Sequence, residues 1–439
     1  MKSMLRNLIL HLLVAGSFLI SCSDDGDPQA TVNNPPGITP PVNTNPVNIL
    51  TVQVGSNRFV ADSENWIFIN TEDGELLDLK QVENGQTVNF TSAKDVAKFN
   101  VTWFEQKLNT FVSFPSEQSY NFITYLSISK GSELVLSNKP EEQQDTPSTG
   151  NVQLSISDYF ESDIPIATLA LSNGFYLPLS PNEITESMFV NNTFTANVPL
   201  IFDIGSSISS LFIAGYRGGT PVFAFPQGIA IDGSVNLNFN NFQEFDHVID
   251  VAGAVDAAIV GRLDVGGTSR RYVLSGTSLL FNSIPTNSSK KIAYNDGFDS
   301  YNTVVIGSKF RYVKNGSAPS TFEMPQSAPT IEVLSNSMQD FDFTVSGPYT
   351  FFRTGWLKIN FQDNSVTQWS IVGSPESRFS MNSIPPDLAA KFPALSLDLN
   401  FGKVTITNYL SDFTYADQLD RLFLFKEPEV EELFEFSTN

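Results

Sequence analysis

The chain has 439 residues, with 25 Lys+Arg against 47 Asp+Glu, one Cys and two His, and a net charge of −22. That length supports roughly two to four domains, the acid excess argues against a nucleic-acid partner, and a single cysteine excludes an internal disulfide framework and any Cys-cluster zinc site. Only 16% of residues are charged and Phe (37) far outnumbers Tyr (12) and Trp (4), a balance that favours a β-rich globular protein over a helical or disordered one.

The first element is a leader. Lys2 and Arg6 precede an apolar stretch over residues 8–20, too short to span a bilayer and right for the core of a signal peptide. It ends in Leu19-Ile20-Ser21-Cys22. This resembles a bacterial lipobox, which implies removal of residues 1–21 and acylation of Cys22, palmitate-type chains included. Several acyl chains anchor stably where one is marginal. The following Ser23-Asp24-Asp25-Gly26-Asp27 is similar to the export signal of surface lipoproteins in Bacteroidota. The resemblance implies an outer-membrane, lipid-anchored and surface-exposed protein; a periplasm-facing one with a plain acidic spacer is the alternative. Residues 1–21 hold two bases and no acid, so the exported part has 23 bases against 47 acids, a charge of −24.

Residues 22–47 form an anchored stalk. Six prolines (Pro28, Pro35, Pro36, Pro40, Pro41, Pro46) favour an extended polyproline-like chain. At about 3.1 Å per residue it reaches on the order of 75 Å. Residues 48–137 then alternate in short runs such as Leu50-Thr-Val-Gln-Val54, with turn signals at Asp73-Gly74, Asn84-Gly85 and Lys130-Gly131. About seven such strands make a small β-sandwich. The run from Trp66 through Asp73-Gly74 to Val88-Asn89-Phe90 resembles transthyretin-like or carboxypeptidase-regulatory-like modules, Ig-like sandwiches whose likeness implies a fold and no activity. Trp103, in phase with Phe99 and Val101, reads as core.

Residues 138–150 have no apolar side chain and read as a linker before a second sandwich over 151–245. Ser180-Pro-Asn-Glu183 reads as a helix capping box. Residues 246–439 form a longer β-rich region. Within it, Phe245, Val248, Ile249, Ala252 and Val255 fall at helical spacing, interrupted by Gly253. His247 is the one histidine left after the leader removes His11, and it lacks a Gly-x-Ser-x-Gly elbow. Two-His zinc chemistry is therefore excluded, as is catalysis by the acylated Cys22. A carboxylate-pair glycoside hydrolase remains open, since it needs only two acids.

The segment Asn295-Asp296-Gly297-Phe298-Asp299-Ser300-Tyr301-Asn302 offers oxygen ligands on a Gly hinge, without the spacing of an EF-hand, so Asp296 and Asp299 are the candidate Ca2+ ligands; no other cofactor is expected. Residues 314–329 carry three prolines but also Phe322 and Met324, and read as an ordered loop. In 356–361, Leu357, Ile359 and Phe361 share one strand face and Trp356, Lys358 and Asn360 the other. Trp356 beside polar neighbours suggests a glycan-stacking platform. Residues 386–392 allow a short helix. The acidic end, 427–439, allows a docked helix through Val430, Leu433 and Phe434, or a free tail.

These features lead to an all-β fold of tandem antiparallel β-sandwiches with few short helices. The expected role is non-enzymatic binding, adhesion or assembly at the outer membrane, with an outer-membrane protein as one kind of partner. A glycan-binding accessory lipoprotein of a polysaccharide uptake system is the second expectation, and the hydrolase the third.

Overall fold

A computed structural model describes residues 45–109, 117–139, 148–159, 170–172, 189–202, 208–217, 220–265, 268–276, 291–323, 328–381, 383–424 and 431–438. The leader, Cys22, nearly all of the stalk and the capping box at 180–183 lie outside the described residues. The fold is all-β, with two short α-helices among the described residues.

The first region contributes Val47–Val54 (β1), Ser63–Asn70 (β2), Leu76–Gln81 (β3), Thr87–Ser92 (β4), Lys98–Asn109 (β5), Glu117–Ser129 (β6) and Ser132–Leu136 (β7). Alternation builds these strands: Leu50, Val52 and Val54 of β1 are buried, while Gln53 between them is exposed. The expected turns at Gly74 and Gly85 take φ of 85° and 79°, a region open to glycine at little cost. Two layers result. Strands β4-β1-β7 make one, and β6-β5-β2-β3 the other. Ile49, Val52 and Phe90 pack with Ile67, Val101 and Tyr125 in a shared core.

The second region contributes Ser148–Ser157 (β8), Ala170–Ser172 (β9), Phe189–Val190 (β10), Thr193–Phe202 (β11), Ile208–Ser210 (β12), Phe212–Arg217 (β13), Thr220–Ala224 (β14), Gln227–Ala230 (β15), Ser234–Asn238 (β16) and Gln243–Glu244 (β17). Sheet β10-β11-β8-β16 faces sheet β17-β14-β13-β9. Val152, Leu154, Phe194, Val198, Ile213 and Val222 fill the space between them. Phe212, Ala214 and Phe223 belong instead to the core shared with the third region.

The third region contributes His247–Asp250 (β18), Asp256–Val265 (β19), Thr268–Gly276 (β20), Lys291–Tyr294 (β21), Ser300–Ile306 (β22), Phe310–Gly316 (β23), Ile331–Ser335 (β24), Asp342–Val345 (β25), Phe351–Asn360 (β26), Ser365–Gly373 (β27), Pro386–Lys391 (α1), Asn400–Phe401 (β28), Thr405–Tyr409 (β29), Tyr415–Leu424 (α2) and Glu431–Ser437 (β30). Its strands extend the first region's sheet into one of 13 strands, ordered β20-β19-β22-β23-β30-β29-β26-β27-β6-β5-β2-β3, with β28 on β26.

The junction is a parallel pairing of β27 with β6, from Ser365↔Gln118 to Val372↔Tyr125. There the Trp369 and Phe122 rings stack at 4.2 Å, and the Trp369 indole donates to Thr124 at 2.9 Å. Backbone pairing therefore joins the first region to the last, and residues 140–147 of the expected linker lie outside the described residues.

Two expected elements differ. Residues 247–250 form a strand on β21 where the spacing predicts a helix. The chain turns at 251–254, with Gly253 at φ 79°, before β19 begins. The acidic end likewise forms β30, between β23 and β29 inside the sheet, and neither a helix nor a free tail over 431–438. The short helix expected at 386–392 is present as α1, with proline in its first turn.

Candidate binding cleft

One face of the large sheet is covered at one end by β4-β1-β7 and by α2. Phe423 of α2 shares a core with Val313, Phe351, Tyr409 and Leu433 of the sheet. Beyond that cover the face is open. Residues two apart share a face, and the register lines them up in rows. Arg311 lies beside Glu435, Glu435 beside Thr407, and Thr407 beside Phe351. In the next row Ser437 lies beside Thr405, and Thr405 beside Arg353.

Two turns close the rim. Gly307-Ser308-Lys309 joins β22 to β23, and Gly402-Lys403 leads into β29. Gly307 is required by close approach, because a Cβ there would run into the Phe310 ring. The Gly307 amide donates to the Phe310 carbonyl at 2.8 Å, which fixes the turn. At the other rim the Gly402 amide donates to the Gly355 carbonyl at 2.8 Å, and the Val404 amide to the Thr438 hydroxyl at 3.1 Å.

The open cleft has a volume of about 610 Å³, within the range of small-molecule sites. Its charges are lopsided. Lys309, Arg311, Arg353 and Lys403 line it with a single acid, Glu435. All four cations are exposed. Arg311 is joined to Glu435 at 2.6 Å. Among the described residues, none forms an ion pair with Lys309, Arg353 or Lys403. Hydroxyls of Ser308, Thr405, Thr407, Ser437 and Thr438 supply neutral partners, with Thr405 and Ser437 already 3.0 Å apart. Phe310 and Phe351 are 9% and 4% exposed, so neither offers the cleft an open ring face. On a chain of charge −22, this is a local field opposite to the global one.

The residues singled out by sequence lie elsewhere. Trp356 is corrected: its ring is 2% exposed, not a surface platform. Phe341, Phe379 and Phe401 surround it, and its indole donates to the Asn336 carbonyl at 2.8 Å. Both faces of this sheet carry cover, and the hairpin β24–β25 lies over the Trp356 side. Lys358 pairs with Asp398 at 2.9 Å. Asn360 bonds Asp363 at 2.8 Å and accepts from the Gln362 amide, which is turn chemistry. The three do not make a common site. The apolar side of the same strand is the more exposed one, ending in Phe361 at 88%.

The expected calcium loop does not converge either. Asp296 reaches His247 at 3.1 Å, and its amide donates to Asp246 at 2.9 Å. Asp299 accepts from the Asp264 amide at 2.7 Å, on another strand. Among the described residues, no group of three His, Cys, Asp or Glu comes together to hold a metal ion. His247 stacks on Tyr294 at 4.5 Å, and among the described residues no hydroxyl is hydrogen-bonded to it.

Sequence reading missed the four cations of the cleft. They are scattered between 309 and 403 and flank no motif. Only the strand order β23-β30-β29-β26 gathers them. No protein-family model matches the chain, and the curated proteins contain no match to it.

Proposed function

We propose that this is a lipid-anchored surface protein whose β body presents a non-enzymatic binding cleft. The observation that carries this reading is the cleft itself: four cations and several hydroxyls around one acid that is already paired. Such a lining binds anions and orients them. It is poorly suited to glycoside hydrolysis, which needs two carboxylates roughly 5–10 Å apart, whereas Glu435 is the one carboxylate here and a guanidinium holds it. Anchorage rests on the lipobox at Cys22 and the acidic residues after it, and surface orientation on the same short segment. A Pro-rich stalk would carry the body clear of the membrane.

Labelling with a radioactive or clickable palmitate tests the anchor. Wild-type protein takes up label, while Cys22→Ala takes up none and keeps its leader. Protease added to intact cells should degrade the protein. Survival on intact cells with loss after lysis would overturn the surface orientation. Incubation with polysaccharides should release no shorter products; release would overturn the non-enzymatic reading.

A further inference from the structure

We infer that the cleft takes an acidic polysaccharide, carboxylated or sulfated, held by several of its negative groups at once. This rests on the binding reading above and deepens it. The first argument is spacing. Arg311 is on β23 and Arg353 on β26, with β30 and β29 between them. Three strand spacings of about 4.8 Å separate the two backbones by roughly 14 Å. With the four cations spread across these strands and the two turns at the rim, a single phosphate or carboxylate engages only some of them. A ligand that engages both sides needs charges repeated along its length.

The second argument is what lies between. Thr405, Thr407 and Ser437 place hydroxyls along the track. They match a ligand rich in hydroxyls and ether oxygens. The third is what the cleft does not offer. Neutral sugars and nucleobases are commonly held by stacking on exposed aromatic faces, but Phe310 and Phe351 are both buried. Affinity must come from charge, and a guanidinium suits carboxylate or sulfate by paired hydrogen bonds. A single-stranded nucleic acid would meet the same cations without the base stacking on aromatic rings that such ligands commonly use.

Affinity electrophoresis of the full mature chain tests this, in gels containing polygalacturonate, dextran sulfate, unmodified dextran or single-stranded DNA. Retardation is expected in at least one of the two acidic polysaccharides, with the arms telling carboxylate from sulfate, and none in dextran or DNA. Arg353→Gln and Lys403→Gln should each weaken retardation about tenfold. Both side chains are exposed, so unchanged melting of each variant will show that the fold is intact. Raising salt should weaken wild type more steeply than the double variant.

Failure in both acidic gels would overturn the inference. So would retardation that persists unchanged in the double variant, full displacement by millimolar phosphate, or binding to DNA alone. Retardation by dextran alone would overturn the acidic ligand and leave the binding function standing. Shortened acidic product would instead overturn the non-enzymatic reading while the ligand class stood.

Discussion

Trp369 shows how much one side chain does in joining distant parts of this chain. It is fully buried, stacks on Phe122 and bonds Thr124 across the parallel pairing. Trp369→Ala would remove a large ring and leave the Thr124 hydroxyl without its indole partner. A loss of about 3–5 kcal/mol in unfolding free energy is expected, read from urea titration. Trp369→Phe keeps the stack and should lose less. The neighbouring strand teaches the opposite lesson about legibility. Trp356 sits on the polar-looking phase of β26, so alternation alone makes it a surface residue. Phe341, Phe379 and Phe401, distant in sequence, bury it. Periodicity reports which residues share a face, but not which face a later segment will cover. By contrast, Phe361, 88% exposed at a hairpin turn, touches little. Phe361→Ser should change stability by no more than about 0.5 kcal/mol in the same titration.

At the scale of elements, β30 is the clearest test. Its sequence mixes acids and aromatics, and Val430, Leu433 and Phe434 mimic a helical stripe. The alternation is hidden because an acid, Glu431, occupies an inward position. The structure shows why that acid is tolerated. Its carboxylate accepts from Arg421 at 2.5 Å, Asn315 at 2.6 Å and the Tyr409 hydroxyl at 2.8 Å. A buried carboxylate so held is costly to remove alone, because a partly buried guanidinium loses its partner. Glu431→Ala should cost about 3–5 kcal/mol. Adding Arg421→Ala should cost less than the sum of the two single changes, since the pair acts as a unit. Thermal melts of the four proteins check both statements. The β strands of 50–54 and the turn glycines at 74 and 85 were legible because their partners are local. The cleft was not, because its cations come from separate strands whose adjacency is set by long-range pairing.

At the scale of the whole molecule, one sheet of 13 strands ties the first region to the last, and buried or half-buried tyrosines lie along it and on the helix α2 that covers it. Burial raises the Tyr125 phenol to about 12, with Arg58 and Arg353 opposing. Burial, then the Glu431 charge and its hydrogen bond, pushes the Tyr409 phenol up. Burial, then the bond to Glu432, does the same for Tyr312. Tyr415 is raised mainly by burial. The ordinary phenol value is 10.0. Above it an unfolded chain gives up these protons while the folded chain keeps them. The folded state then binds more protons, so stability falls as pH rises. The stabilising contribution is complete below about pH 10 and, for Tyr125, is lost on rising through about 12. Urea midpoints should therefore be flat between about pH 7 and 9 and decline steadily above about pH 10. Tyr125→Phe tests the assignment, because phenylalanine keeps the packing on Phe423, whose ring lies 4.6 Å away, and carries no proton to lose. The variant's midpoint should decline less steeply in alkali than wild type. An identical decline would mean that Tyr125 is not among the groups responsible, and would move the cause to the tyrosines beside Glu431 and Glu432.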